Sequence, residues 1–174
     1  MYRKIVLDNR LRIVAELLPT LKSVTIGIWV NVGSRDEQPG EEGLSHFLEH
    51  MFFKGTRSRT ATQISREIDA LGGEMNAFTT RETTTFYVKV LDQQLEAALE
   101  LLSDLFYRSR FESKEVEKEK TFIISSMKSF DVWDYATESE KDFISALGSK
   151  IDIESLVNAS WKMEGAVTLM WALN

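Results

Sequence analysis

Ser23-Val24-Thr25-Ile26-Gly27-Ile28-Trp29-Val30-Asn31-Val32-Gly33 and, after a loop, Leu44-Ser45-His46-Phe47-Leu48-Glu49-His50-Met51-Phe52-Phe53 carry two different hydrophobic periods. In the first stretch Val24, Ile26, Ile28, Val30 and Val32 alternate with Ser23, Thr25, Gly27, Trp29 and Asn31, the period of a half-buried strand. In the second, at about 100° per residue, Leu44, Phe47, Leu48 and Met51 fall on one side of a helix. His46, Glu49, His50 and Phe53 fall on the other. Residues 34–43, with Pro39, Gly40 and Gly43, form the loop between them. The helix is expected over 41–54, with Glu41 and Glu42 at the end where its dipole favours anions.

Working outward, residues 4–8 and 11–17 alternate around Asp8-Asn9-Arg10 and read as a hairpin, with Asn9 able to take positive φ. A second helix is expected over 60–71, capped by Thr60 and stopped by Gly72-Gly73. Residues 74–79 and 83–91 read as strands. Residues 92–108 form an amphipathic helix through Leu95, Leu99, Leu102 and Phe106, and 112–130 a charged one. Residues 137–147 read as helical, and the tail to Asn174 has no clear period. Hairpin-linked early strands favour an α+β fold with an antiparallel or mixed sheet over a doubly wound parallel sheet.

Composition narrows the chemistry. The 174 residues carry a net charge of −6, which argues against a nucleic-acid partner, since that needs a basic footprint. The absence of cysteine removes disulfides and thiolate ligands, so a metal site must use His, Asp or Glu. Arg3, Lys4, Asp8, Arg10, Arg12 and Glu16 interrupt any apolar signal core near the start, and no apolar run is long enough to span a bilayer. A cytoplasmic or organelle-matrix location with no membrane partner is expected.

The chain's two histidines, His46 and His50, are both at the i, i+4 spacing that lets two imidazoles reach one ion. Glu49 lies between them angularly. It can take a proton from a water held at the metal and pass it to a leaving amine. A lone histidine is more often structural. Here both share the face opposite the apolar stripe and bracket a glutamate.

The order His-x-x-Glu-His is the inverse of His-Glu-x-x-His and marks the inverzincins. Val32-Gly33-Ser34-Arg35-Asp36-Glu37, Gly43 to Thr56, Leu71 to Thr79 and Glu117-Lys118-Glu119-Lys120 together resemble the pitrilysin family of zinc metallopeptidases. The look is that of mitochondrial-processing-peptidase-like bacterial zinc proteases. The resemblance covers residues 1 to about 130. It implies a metalloendopeptidase with one Zn2+ ion held by His46 and His50, and Glu49 as general base. It also implies that Asn76-Ala77-Phe78 is an edge strand pairing with an extended peptide, and that Glu82 lies in a run near the site.

The same resemblance places the third zinc ligand, a glutamate, at position 126, where this chain has Ser126 in Ser125-Ser126. A neutral hydroxyl is a poor zinc ligand beside a carboxylate. Glu119, seven residues earlier and about 10 Å along the axis, matches an acid that supports the site from outside the ligand ring. The helical wheel puts Glu115, Glu119, Phe122, Ser126 and Phe130 on one face.

Residues 1–130 are therefore expected to form a metallopeptidase-like domain, and 131–174 a diverged or incomplete segment ending before the domain would. Two readings follow: a zinc endopeptidase acting on peptides or proteins, or a catalytically silent relative acting as a peptide-binding or partner subunit, with homo-oligomers possible.

Overall fold

The computed structural model describes residues 2–146 and 167–173. Strands β1 (Tyr2–Val6) and β2 (Arg12–Leu17) form the expected antiparallel hairpin, with Val6 opposite Arg12. The left-handed residue in its turn is Arg10, at φ 67°, rather than Asn9. Asn9 uses its side chain instead: Oδ1 accepts the Leu11 N–H at 3.1 Å, closing an Asx-type turn, and the positive φ falls one residue later.

Strand β3 (Ser23–Val30) buries Val24, Ile26, Ile28 and Val30, as its alternation requires. Strands β4 (Glu74–Thr79) and β5 (Thr84–Leu91) pair antiparallel, and β5 pairs with β3. The sixth strand, β6 (Val167–Leu173), inserts between β2 and β3, parallel to the first and antiparallel to the second. The six-stranded order is β1-β2-β6-β3-β5-β4, a mixed sheet. β6 was invisible as a period because it is apolar at every position but Thr168, and a short continuous apolar run has no alternation to read. The expected 131–174 segment thus contributes a strand to the sheet, and its residues 147–166 lie outside the described residues.

The helices are α1 (Leu44–Phe52), α2 (Ala61–Ala70), α3 (Leu95–Arg108), α4 (Ser113–Ser129) and α5 (Glu138–Ala146). Thr60 caps α2 in a capping box with Gln63, and Gly72 ends it at φ 62°. Helix α3 lays Ala98 and Leu102 on the face of the sheet formed by Val24, Ile26, Ile28, Val88 and Val90, and Phe52 joins that core. A second core unites α1, α4 and α5 through Leu44, Phe47, Leu48, Met51, Val116 and Phe143. The apolar stripe of α1 thus anchors the helix in the second core, while Phe52 at its end joins the first. Met51 is wholly buried, so truncating it to alanine would cost about 2–5 kcal/mol.

On α4 the expected common face divides. Glu119 is buried, whereas Phe122 is 62% and Phe130 78% exposed. The buried line runs through Val116, Glu119 and the half-buried Ile123, set by where α1 and α5 pack rather than by hydrophobicity.

Candidate metal centre on helix α1

Helix α1 starts with a glycine for a physical reason: Gly43 sits at the N-cap with φ 97°, a conformation that favours glycine. No acid lies in its first turn, contrary to the expected role of Glu41 and Glu42. Those two serve the preceding turn, accepting the N–H groups of Gln38 and Gly40. The helix instead recruits Glu37, which folds back so that its carboxylate accepts the Gly43 and Ser45 N–H groups at 2.8 Å each. A carboxylate there satisfies orphan donors and complements the positive end of the helix dipole.

The loop carrying Glu37 is tied in turn to the β4–β5 hairpin. Ser34 and Arg35 donate their N–H groups to the carbonyls of Thr80 and Arg81. A Cβ on Gly33 would come within 2.4 Å of the Thr80 carbonyl, so only glycine permits this approach. Glu82 completes the tie through an exposed ion pair with Arg35 at 2.8 Å. Its contribution is to the loop, not to the imidazoles.

On the exposed side of α1, His46 Nε2 and His50 Nε2 stand 3.2 Å apart, their rings nearly perpendicular at 84°. A carboxylate oxygen of Glu49 completes a cluster whose ligand atoms all lie within 4.8 Å of one another. His46 is exposed, while Glu49 and His50 are half-buried. The other nitrogen of His50, Nδ1, faces Glu119 Oε1 at 2.7 Å across the α1–α4 contact. An Nδ1–H donated to that carboxylate leaves the Nε2 lone pair directed at His46. Burial would raise the Glu119 pKa, but hydrogen bonds from Lys54 and His50 outweigh it and hold the carboxyl below its ordinary value.

Two contacts were not legible beforehand. Thr79, at the end of β4, donates its hydroxyl to Glu49 Oε2 at 2.7 Å. Lys54, one turn beyond His50, pairs with Glu119 Oε2. Both lie inside quoted motifs, but nothing in their spacing says that a strand end and a helix end converge on these carboxylates.

Two hollows flank the cluster. One, of about 250 Å³, is lined by Glu49, His50, Phe53, Lys54 and Asn76. Asn76, Ala77 and Phe78 lie on β4, the edge of the sheet among the described residues. The other, of about 210 Å³, lies between α1, α4 and α5, with His46 and His50 facing Ile123, Met127 and Phe143. Ser126 lines neither hollow; its carbonyl accepts the Phe130 N–H and the Ser129 hydroxyl.

A separate charged cluster steadies the segment that follows α1. Asp104 on α3, with a fully buried side chain, accepts hydrogen bonds from Thr56 at 2.7 Å, Ser58 at 2.8 Å and Arg59 at 2.7 Å. Burial alone would raise its pKa, but the bonds from Thr56, Arg59 and Ser58 lower it to about 2. Arg59 also reaches Glu67 and Glu100; burial works against its charge, and these acids together with Asp104 raise its pKa further above the ordinary value.

The donor set can be tested against zinc. Two imidazole nitrogens at 3.2 Å suit neighbouring positions of a tetrahedral site, whose ligand atoms lie about 3.4 Å apart for bonds of about 2.1 Å. His46 and His50 fit. Ser126 does not supply the carboxylate.

The mixed-sheet α+β domain thus presents two imidazoles and a carboxylate on the exposed face of one helix. The family model for Insulinase (Peptidase family M16) matches residues 12–150, and the chain belongs to this family. An uncharacterized zinc protease, YmxG, of Bacillus subtilis is 45% identical over 131 residues, covering 75% of this chain and 32% of the relative. The probable mitochondrial-processing peptidase subunit beta of Arabidopsis thaliana is 43% identical over 121 residues, covering 70% of this chain and 23% of the relative. The chain thus spans a third or less of these relatives. A crystallised protease from Helicobacter pylori shares the fold at a TM-score of 0.85 and 20% identity, covering all of this chain and 47% of that one. Pitrilysin does so at 0.79 and 20% identity, with all of this chain and 21% of that one covered.

Proposed function

We propose that the chain presents the metal-binding part of a zinc metalloendopeptidase site, in which His46 and His50 hold the ion and a peptide lies along β4. Glu49 occupies the general-base position. The observation that carries this reading is the facing pair of Nε2 atoms at 3.2 Å with the Glu49 carboxylate beside them.

Bound zinc would supply a Lewis acid that polarises a peptide carbonyl and acidifies water. The remaining work belongs to the chain. Glu49 takes a proton from the attacking water and returns it to the leaving amine. Thr79 fixes one of its oxygens and leaves the other to the cleft. Glu119 orients His50 from behind. The outer edge of β4 offers main-chain hydrogen bonds to an extended peptide, and Asn76 shares the hollow beside Glu49.

One observation favours the second reading, a silent peptide-binding or partner subunit: Ser126 stands where a third carboxylate is expected. With two neutral donors secured, zinc binds weakly and the chain alone has little peptidase activity. Metal analysis after dialysis, paired with a peptide-cleavage assay of wild type and Glu49→Gln, decides between the two. Stoichiometric zinc together with Glu49-dependent cleavage would establish the enzyme and overturn the silent reading.

A further inference from the structure

We infer that in this chain Glu49 is itself a metal ligand, completing a His46–Glu49–His50 set on one helix, because Ser126 withdraws the carboxylate that would otherwise leave Glu49 free. The inference rests on the zinc reading of the two histidines and deepens its silent form.

Distance carries it first. Tetrahedral zinc with bonds of about 2.1 Å places neighbouring ligand atoms about 3.4 Å apart. The two Nε2 atoms already stand at 3.2 Å. The Glu49 oxygen lies within 4.8 Å of both, so at most about 1.4 Å of closure brings it to ligand spacing.

Charge comes second. A dication with two neutral imidazoles draws in the nearest available anionic oxygen. Glu119 is not available: one oxygen faces His50 Nδ1, behind the ring, and the other is held by Lys54. Ser126 is neutral and lines neither hollow beside the imidazoles. Among the described residues, His46, Glu49 and His50 are the one group of three metal-ligating side chains gathered closely enough to hold an ion.

Orientation comes third. Thr79 donates to Oε2 alone, and a carboxylate has about four lone-pair sites, so Oε1 remains for the metal. The functional consequence is direct. A carboxylate committed to the ion is a poor proton acceptor, so metal binding and base catalysis exclude one another at Glu49. A site built this way gains a third ligand and gives up turnover.

The test is a zinc titration of the full chain in competition with a chromogenic chelator, with circular dichroism confirming that each variant folds. Glutamine at position 49 can still accept the Thr79 hydroxyl, which preserves local packing. Glu49→Gln is expected to lose roughly 10- to 100-fold in zinc affinity, at least the loss that follows from removing groups outside a ligand ring. His46→Ala is expected to lose as much or more. Ser126→Glu is expected to gain affinity, and Glu49→Gln in that background to change it little.

If Glu49→Gln binds zinc as wild type does while His46→Ala loses it, the ligand role is overturned and the metal reading survives. If His46→Ala binds as wild type, the metal reading itself fails. If Ser126→Glu gains nothing, or the Glu49→Gln loss persists undiminished in its presence, Ser126 is not the cause.

Discussion

Two carboxylates, Asp104 and Glu119, are both buried and both held below their ordinary pKa, yet their surroundings differ in kind. Asp104 is enclosed by Thr56, Ser58, Arg59 and Arg108, each bonded to it, with Arg59 further tied to Glu67 and Glu100. Every strong group there ends on another within the protein. Glu119 is satisfied too, but its partner His50 keeps a second nitrogen turned outward to His46, and Glu49 beside them opens onto a hollow. The first cluster holds the fold together. The second holds two imidazole nitrogens and a carboxylate facing outward, an arrangement with donor capacity left over.

That contrast breaks most visibly at Asp104. Asp104→Ala leaves the half-buried Arg59 without its central partner, and Thr56 and Ser58 without theirs, and is expected to cost about 3 kcal/mol, the lower end of the scale for breaking a buried ion pair. Urea denaturation measures it, while zinc affinity of the folded variant stays that of wild type. Equal loss of both would erase the distinction between the clusters.

Glu119→Ala should do the reverse. Zinc affinity falls roughly 10- to 100-fold because His50 loses its orienting partner, with a smaller stability loss of about 1–3 kcal/mol from the buried groups left unpaired. Chelator competition alongside thermal melting separates the two effects.

Acid sharpens the comparison next. The folded pKa of Asp104, about 2, lies below its ordinary value of 3.8, so its contribution is fully present above about pH 4. It is lost as pH falls through about 2, and its size is on the order of 2 kcal/mol. Asp104→Ala should therefore show a flatter acid limb than wild type; parallel limbs in a circular-dichroism titration would contradict the assignment.

The smallest effect is expected at Glu37. Removing its carboxylate frees two N–H groups at the start of α1 and should cost about 1 kcal/mol, recovered largely by Glu37→Gln. A melting-temperature comparison of the two variants checks it.

Much of this molecule was legible from residue order. Val24 to Val30 announced β3 by alternation, Thr60 and Gly72 bounded α2, and the wheel of residues 44–53 separated the stripe that packs from the face that carries His46, Glu49 and His50. These features depend on neighbours within a turn or a pleat, where geometry is set by the chain itself. The misreadings have the opposite character. The wheel put Glu119, Phe122 and Phe130 on one face, yet Glu119 is buried while Phe122 and Phe130 are exposed, because the line of α4 that meets α1 runs through Val116 and Glu119. Glu41 and Glu42 looked like helix-end acids, but the loop's path brings Glu37 to that end instead.

Sequence by itself determined the elements from β1 to α5, the family and the two imidazoles one turn apart, since a helix repeats every 3.6 residues whatever surrounds it. Only the tertiary structure decided that Thr79 reaches Glu49 and that Glu119 stands behind His50, 30 and 69 residues away along the chain. The same holds for β6, which lies between β2 and β3. Those placements come from packing a helix, a strand end and a second helix around shared cores, and packing is decided by shape and burial across the whole domain rather than by any local repeat.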